Sequence, residues 1–89
     1  MRFSRHQDIL IAPFDGELLV FDLKTHLPYA LNGVAADILM STDGRRNPEN
    51  IAGKICEKYD VEFHEALKDI HGLYEELILK GIVERVKEK

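Results

Sequence analysis

The chain has 89 residues, 45% hydrophobic and 31% charged, which fits one globular domain over residues 1–89 and leaves no room for a second. Its net charge of −4 is spread along the chain, with five basic and six acidic residues up to Arg46 and seven and ten from Asn47 on, so neither half has the basic excess of a nucleic-acid binder. The single cysteine, Cys56, excludes a disulfide framework, and no apolar run reaches the roughly 18 residues of a membrane span.

Ile9 to Phe14 reads as a first strand, and Pro13 marks it as short or at an edge because proline cannot donate to a ladder. Asp15-Gly16 predicts a tight hairpin turn with positive φ at both positions. Glu17 to Leu23 is the second strand. It is apolar on both faces in its middle, which predicts a central place in the sheet. After a polar turn at 24–26, Leu27 to Leu31 is the third strand, and Pro28 again points to an edge. Asn32 is the expected cap of a helix from Gly33 to about Ser41, which carries Val34, Ala35, Ile38 and Leu39 at helical spacing and stops at Asp43-Gly44. Asn47-Pro48-Glu49 opens a second helix to about Lys58, with Ile51, Ala52, Ile55 and Cys56 as its inner stripe. A third helix from about Phe63 to Lys80 has the stripe Leu67, Ile70, Leu73, Tyr74, Leu77 and Ile78 and ends at Gly81. Ile82-Val83 suggests a short strand or buried tail. Three short strands cannot bury an apolar face alone, so the helices must cover one side. The expected fold is α+β and winged-helix-like: a three-stranded antiparallel sheet followed by a three-helix bundle.

Little in the chain suggests catalysis. His64 and His71 share a helix face, but no CxxC, HxxxH or HExxH spacing pins a metal. Cys56 sits on an apolar stripe, where a thiol behaves as a small hydrophobe. Asp69, Glu75 and Glu76 lie among lysines on an exposed helix, without the desolvation that tunes an acid/base pair. The glycines form no phosphate loop. No enzyme, metal or cofactor is expected, and the N-terminal stretch lacks the apolar core and cleavage site of a signal peptide, which fits a cytoplasmic protein.

Two features stand out. Leu27 to Leu31 is an edge strand with an aromatic at Tyr29, and Gly72 interrupts the long third helix at a cost of about 1 kcal/mol against alanine. A glycine there either is merely tolerated or lets another backbone come close. An unpaired edge beside a hydrophobic groove is the setting for β-augmentation, in which a peptide adds as a further strand.

The run Tyr29-Ala30-Leu31-Asn32, with Ala35, Ile38-Leu39 and Asp43-Gly44, then Ile51-Ala52, Tyr59-Asp60, Asp69-Ile70, Leu73-Tyr74, Glu76-Leu77 and Gly81-Ile82, resembles the PqqD family over about Gly16 to Val83. The resemblance implies a RiPP recognition element, a non-catalytic chaperone in natural-product biosynthesis. Such modules bind the leader of a ribosomally made precursor peptide and present it to a modifying enzyme, often a radical SAM protein. It further implies that the leader pairs with Leu27, Pro28, Tyr29, Ala30 and Leu31 and packs on the third helix around Asp69, Leu73 and Glu76. Members of the pyrroloquinoline quinone (PQQ) pathway itself often end the first helix in Cys-Asp-Gly. Here the ending is Ser41-Thr42-Asp43-Gly44, so another peptide pathway fits as well as PQQ biosynthesis. The alternative from the same helix order is a winged-helix DNA-binding regulator, which the acidic third helix opposes. An exposed edge strand also invites a homodimer.

Overall fold

The computed structural model describes residues 1–87. Five strands and three helices follow in the order β1 (Phe3–Arg5), β2 (Ile9–Phe14), β3 (Glu17–Asp22), β4 (Pro28–Asn32), α1 (Gly33–Ser41), α2 (Pro48–Tyr59), α3 (Phe63–Leu79) and β5 (Val83–Arg85). The main sheet is antiparallel with the order β2-β3-β4, and β1 and β5 form a separate two-stranded pair. The fold is α+β, with the helices on one face of the main sheet.

The local chemistry explains the path. Asp15 and Gly16 have φ of 50° and 81°, as a two-residue turn joining β2 to β3 requires. Asp22 turns the chain into β4: its carboxylate accepts from the Lys24 amide at 2.8 Å and its carbonyl from the His26 amide. That hydrogen bond holds the Asp22 carboxyl below the usual range. Asn32 stands at the start of α1 in extended backbone, as the sequence suggests, but its side chain makes no capping bond. The left-handed Gly33, at φ 57°, lies between strand and helix and redirects the first turn away from it. At α2 the expected cap is present. Asn47 accepts from the Asn50 amide at 2.8 Å while the Asn50 side chain accepts from the Asn47 amide. Helix α3 closes in a Schellman motif. Gly81, at φ 75°, donates to the Ile78 carbonyl and Ile82 to that of Leu77.

The core lies between the sheet and the helices. Leu18 and Val20 of β3 and Leu31 of β4 meet Ile38 and Leu39 of α1, Ile51, Ala52 and Ile55 of α2, and Ala66, Ile70, Tyr74 and Leu77 of α3. The buried line of α3 therefore runs through Ala66 rather than Leu67. Leu67 and Leu73 are half-buried and Ile78 is 39% exposed. Cys56 is likewise half-buried, at the margin of the α2 stripe. Strand β1 has no counterpart in the sequence reading, and the tail after α3 forms β5 two residues beyond Gly81. Phe3 of β1 stacks on Tyr74, with ring centroids 4.4 Å apart, so the two ends of the chain close over α3.

Candidate functional site

Among the described residues strand β4 pairs only with β3, and its other edge is open. The register sets which backbone groups face outward. The Asp22 amide donates to the Leu27 carbonyl, and the ladder continues with Val20 opposite Tyr29 and Leu18 opposite Leu31. Those pairs exchange hydrogen bonds, so the residues between them turn their N–H and C=O groups away from β3. The outward-facing positions are Pro28, Ala30 and Asn32. Pro28 has no amide to give, which leaves Ala30 as the donor at the middle of the free edge.

Alternation fixes the side chains. Tyr29 and Leu31 lie on the helix side of the sheet, Pro28 and Ala30 on the outer side. Leu31 is only 8% exposed and belongs to the core, so its side chain is not part of an open site. Leu27 precedes the strand and is exposed. Tyr29 reaches across to α3, where its hydroxyl donates to the Glu76 carboxylate at 3.4 Å. The Lys80 ammonium sits 4.4 Å from the Tyr29 ring centroid and 3.7 Å from Glu76. These three side chains bridge the cleft between the edge strand and the helix.

Beside that bridge the cleft widens into a groove of about 500 Å³, lined by Val34, Ala35 and Ile38 of α1 and Lys68, Asp69, Gly72, Leu73 and Glu76 of α3. Asp69, Gly72, Leu73 and Glu76 share one helix face because they are spaced by three, one and three residues. A Cβ built on Gly72 meets nothing within 4 Å, so the glycine leaves an open notch in that face. On the other side of Tyr29, Val20, Leu27, Pro28, Lys80 and Ile82 line a smaller cavity of about 270 Å³. The structure thus brings Tyr29, Asp69, Leu73 and Glu76 together at one cleft and presents Ala30 through its backbone. The α1 residues of the groove were missed, although their spacing in Val34-Ala35-x-x-Ile38 put them on one face.

Other polar clusters do not resemble a reaction centre. Asp37 of α1 accepts a hydrogen bond from the Tyr59 hydroxyl and pairs with Lys58 at 2.8 Å. The Lys58 ammonium, and then the Tyr59 hydroxyl, hold the Asp37 carboxyl below its usual range. This contact ties α1 to the end of α2. Among the described residues no group of three or more His, Cys, Asp or Glu side chains is placed to hold a metal, and no helix is long and apolar enough to cross a membrane.

Residues 17–83 match the family described as Coenzyme PQQ synthesis protein D (PqqD). A protein of Rhizobium meliloti (strain 1021) named "PqqA binding protein" is 31% identical over 58 residues, which is 65% of this chain and 59% of that protein. The aligned chain therefore spans less than two thirds of that relative. Two solved structures share the fold. "Lasso peptide synthetase B1 complexed with the leader peptide" is 25% identical with a TM-score of 0.85, covering 94% of this chain and 99% of its own. "TbiB1 in Complex with the TbiA(beta) Leader Peptide" is 22% identical with the same TM-score of 0.85, covering 96% of this chain and 99% of its own.

Proposed function

This chain belongs to the PqqD family, and on that premise we propose that it is a non-catalytic recognition domain, residues 1–89, for the leader of a ribosomally made precursor peptide. The observation that carries the reading is the open edge of β4 beside the groove of α1 and α3. An extended leader would add as a fourth strand, with its backbone paired to Ala30 and Asn32 and alternate side chains turned into the groove. Pro28, Tyr29, Ala30, Asp69, Leu73 and Glu76 would form this site, the strand residues supplying the edge and the helix residues one wall, while Leu27 flanks the strand and Leu31 anchors it in the core. The relatives named for PqqA or solved with a leader peptide support the same ligand class. The bound leader would then be handed to a modifying enzyme, such as a radical SAM protein, in PQQ biosynthesis or another peptide pathway, within the cytoplasm.

The alternative, a DNA-binding regulator, is opposed by charge. Within α3, Lys68 and the histidines His64 and His71 stand against Glu65, Asp69, Glu75 and Glu76, whereas a DNA reader gains its affinity from several phosphate contacts. The deciding experiment is a titration of ¹⁵N-labelled protein with a synthetic peptide copying the leader segment of a candidate precursor peptide. Amide shifts at Tyr29 to Asn32 and along Asp69 to Glu76 are expected. Shifts confined to α2, or none, would sink the reading, and salt-sensitive retention on duplex DNA would favour the alternative.

A further inference from the structure

The cleft beside β4 changes charge along its length. Toward α1 the groove wall carries Lys68 with the carboxylates of Asp69 and Glu76. Toward the start of β4, the smaller cavity has apolar walls from Val20, Leu27, Pro28 and Ile82, and its two charged residues are Asp22 and Lys80. Asp22 is committed to the turn: it is only 8% exposed, and its carboxylate accepts from the Lys24 amide at 2.8 Å. The charge offered at this end is therefore the Lys80 ammonium. A second ammonium stands close by, with Lys24 Nζ 3.9 Å from where a Cβ on Gly81 would lie.

Lys80 is firmly rooted but poorly paired. Its amide donates to the Glu76 carbonyl, and the next two amides close the end of α3, so its backbone is fixed. Its ammonium stands 4.4 Å from the Tyr29 ring centroid and 3.7 Å from the Glu76 carboxylate. A charge-assisted N–H···O bond measures about 2.7–2.9 Å, so Glu76 attracts this ammonium without accepting a hydrogen bond from it. The Lys80 side chain is 44% exposed and that of Glu76 54%. An exposed pair of this kind contributes little, and a better acceptor can replace it while Glu76 turns into solvent.

We propose that Lys80 is a specificity-determining residue that selects a leader with a carboxylate, glutamate before aspartate, at the position facing Tyr29. This rests on the reading of β4 as the leader-binding edge. The strand geometry places the position. A leader residue opposite Ala30 turns its side chain to the outer face, as Ala30 does, so its neighbour opposite Tyr29 turns toward the helices. There it lies beside the Tyr29 ring and the ammonium above it. The longer stem of glutamate can lie along that ring and still reach Lys80. A leader lysine or arginine would meet two ammoniums. An apolar side chain would cover the Lys80 donors and give them no acceptor.

The test is fluorescence anisotropy with a labelled peptide copying the leader segment of a candidate precursor, each residue replaced in turn by Glu, Gln, Lys and Leu. It is titrated against the full chain and against Lys80→Met, Lys80→Glu and Ala30→Pro, each checked for an unchanged fold by circular dichroism. At one position Glu should bind at least about tenfold tighter than Lys, and tighter than Gln or Leu. That preference should vanish in Lys80→Met, invert in Lys80→Glu, and shrink as salt rises from about 0.05 to 0.5 M. A merely structural lysine would not move it. A preference that persists in Lys80→Met, or a Leu peptide that binds best at that position, would overturn the proposal. If Ala30→Pro abolishes binding while the Lys80 variants rank the peptides as wild type does, the edge reading stands and Lys80 is no selector. If no peptide binds, or Ala30→Pro changes nothing, the edge reading fails and the role of Lys80 falls with it.

Discussion

The hydroxyl of Thr42 is fully buried and donates to the Ile38 carbonyl at 2.6 Å. Its one proton is thereby committed, so in the 2.7 Å contact with Tyr74 the tyrosine hydroxyl is the donor. Burial raises the Tyr74 pKa, and the nearby Asp43 charge adds to that. The sign follows from proton linkage. The folded chain holds the Tyr74 proton at a pH where the unfolded chain releases it, so stability is complete below the ordinary tyrosine range and falls above it. Tyr74→Phe should cost about 1 kcal/mol at neutral pH. It should also flatten the loss of stability between about pH 9 and 11, read as urea midpoints across pH. A variant as steeply alkali-sensitive as the wild type would contradict this. Gly72 gives a prediction of opposite signs. A methyl group there has open space in the free protein, so Gly72→Ala should stabilise α3 by about 1 kcal/mol. If a peptide lies in the notch, the same variant should bind the leader several-fold more weakly. Stability up with affinity unchanged would mean that the glycine is only tolerated.

Among the elements, β4 carries the functional argument, and its sequence reveals only part of it. Two prolines and an Asp-Gly turn were enough to order the three strands and place β4 at an edge, because proline and glycine act through local geometry. Which β4 amides face outward was not legible. That depends on the register against β3, set by the Asp22 turn, and a shift of one residue would exchange the two sets. The register singles out Ala30. Ala30→Pro removes the central outward amide yet keeps the bonds to β3, as edge strands permit. Leader affinity should fall at least tenfold, while Val20, opposite Tyr29, keeps its amide protection in hydrogen exchange. If affinity is unchanged, the peptide does not pair with this edge. The same limit applies to the groove. Asp69, Leu73 and Glu76 were readable as one helix face, but their facing wall of Val34, Ala35 and Ile38 depends on how α1 packs on α3.

At the scale of the molecule, the clasp between the chain ends was the least legible feature. Phe3-Ser4-Arg5 is too short to show a period, and its partner Val83–Arg85 lies at the other end of the sequence. Only the assembled core brings them together. Yet the clasp closes α3 from above. Phe3 is 4% exposed and stacked on Tyr74, its carbonyl accepts from the Gly44 amide after α1, and Arg5 donates to the last carbonyls of that helix at 3.0 and 3.2 Å. Gly44 is held at φ 85° with the Ser4 side chain 3.4 Å from where a Cβ would stand, so α1 ends tightly against β1. The wall of the groove formed by α3 is thus braced by the clasp through Tyr74. Phe3→Ala should cost about 3 kcal/mol, as for other buried aromatics, a large share of what a domain of this size has. The melting midpoint should drop by more than about 10 °C. Because Phe3 lines no part of the groove, leader affinity measured well below that midpoint should stay within about twofold of wild type, a difference under about 0.5 kcal/mol. A large affinity loss in a folded variant would mean that the clasp and the groove are coupled through α3.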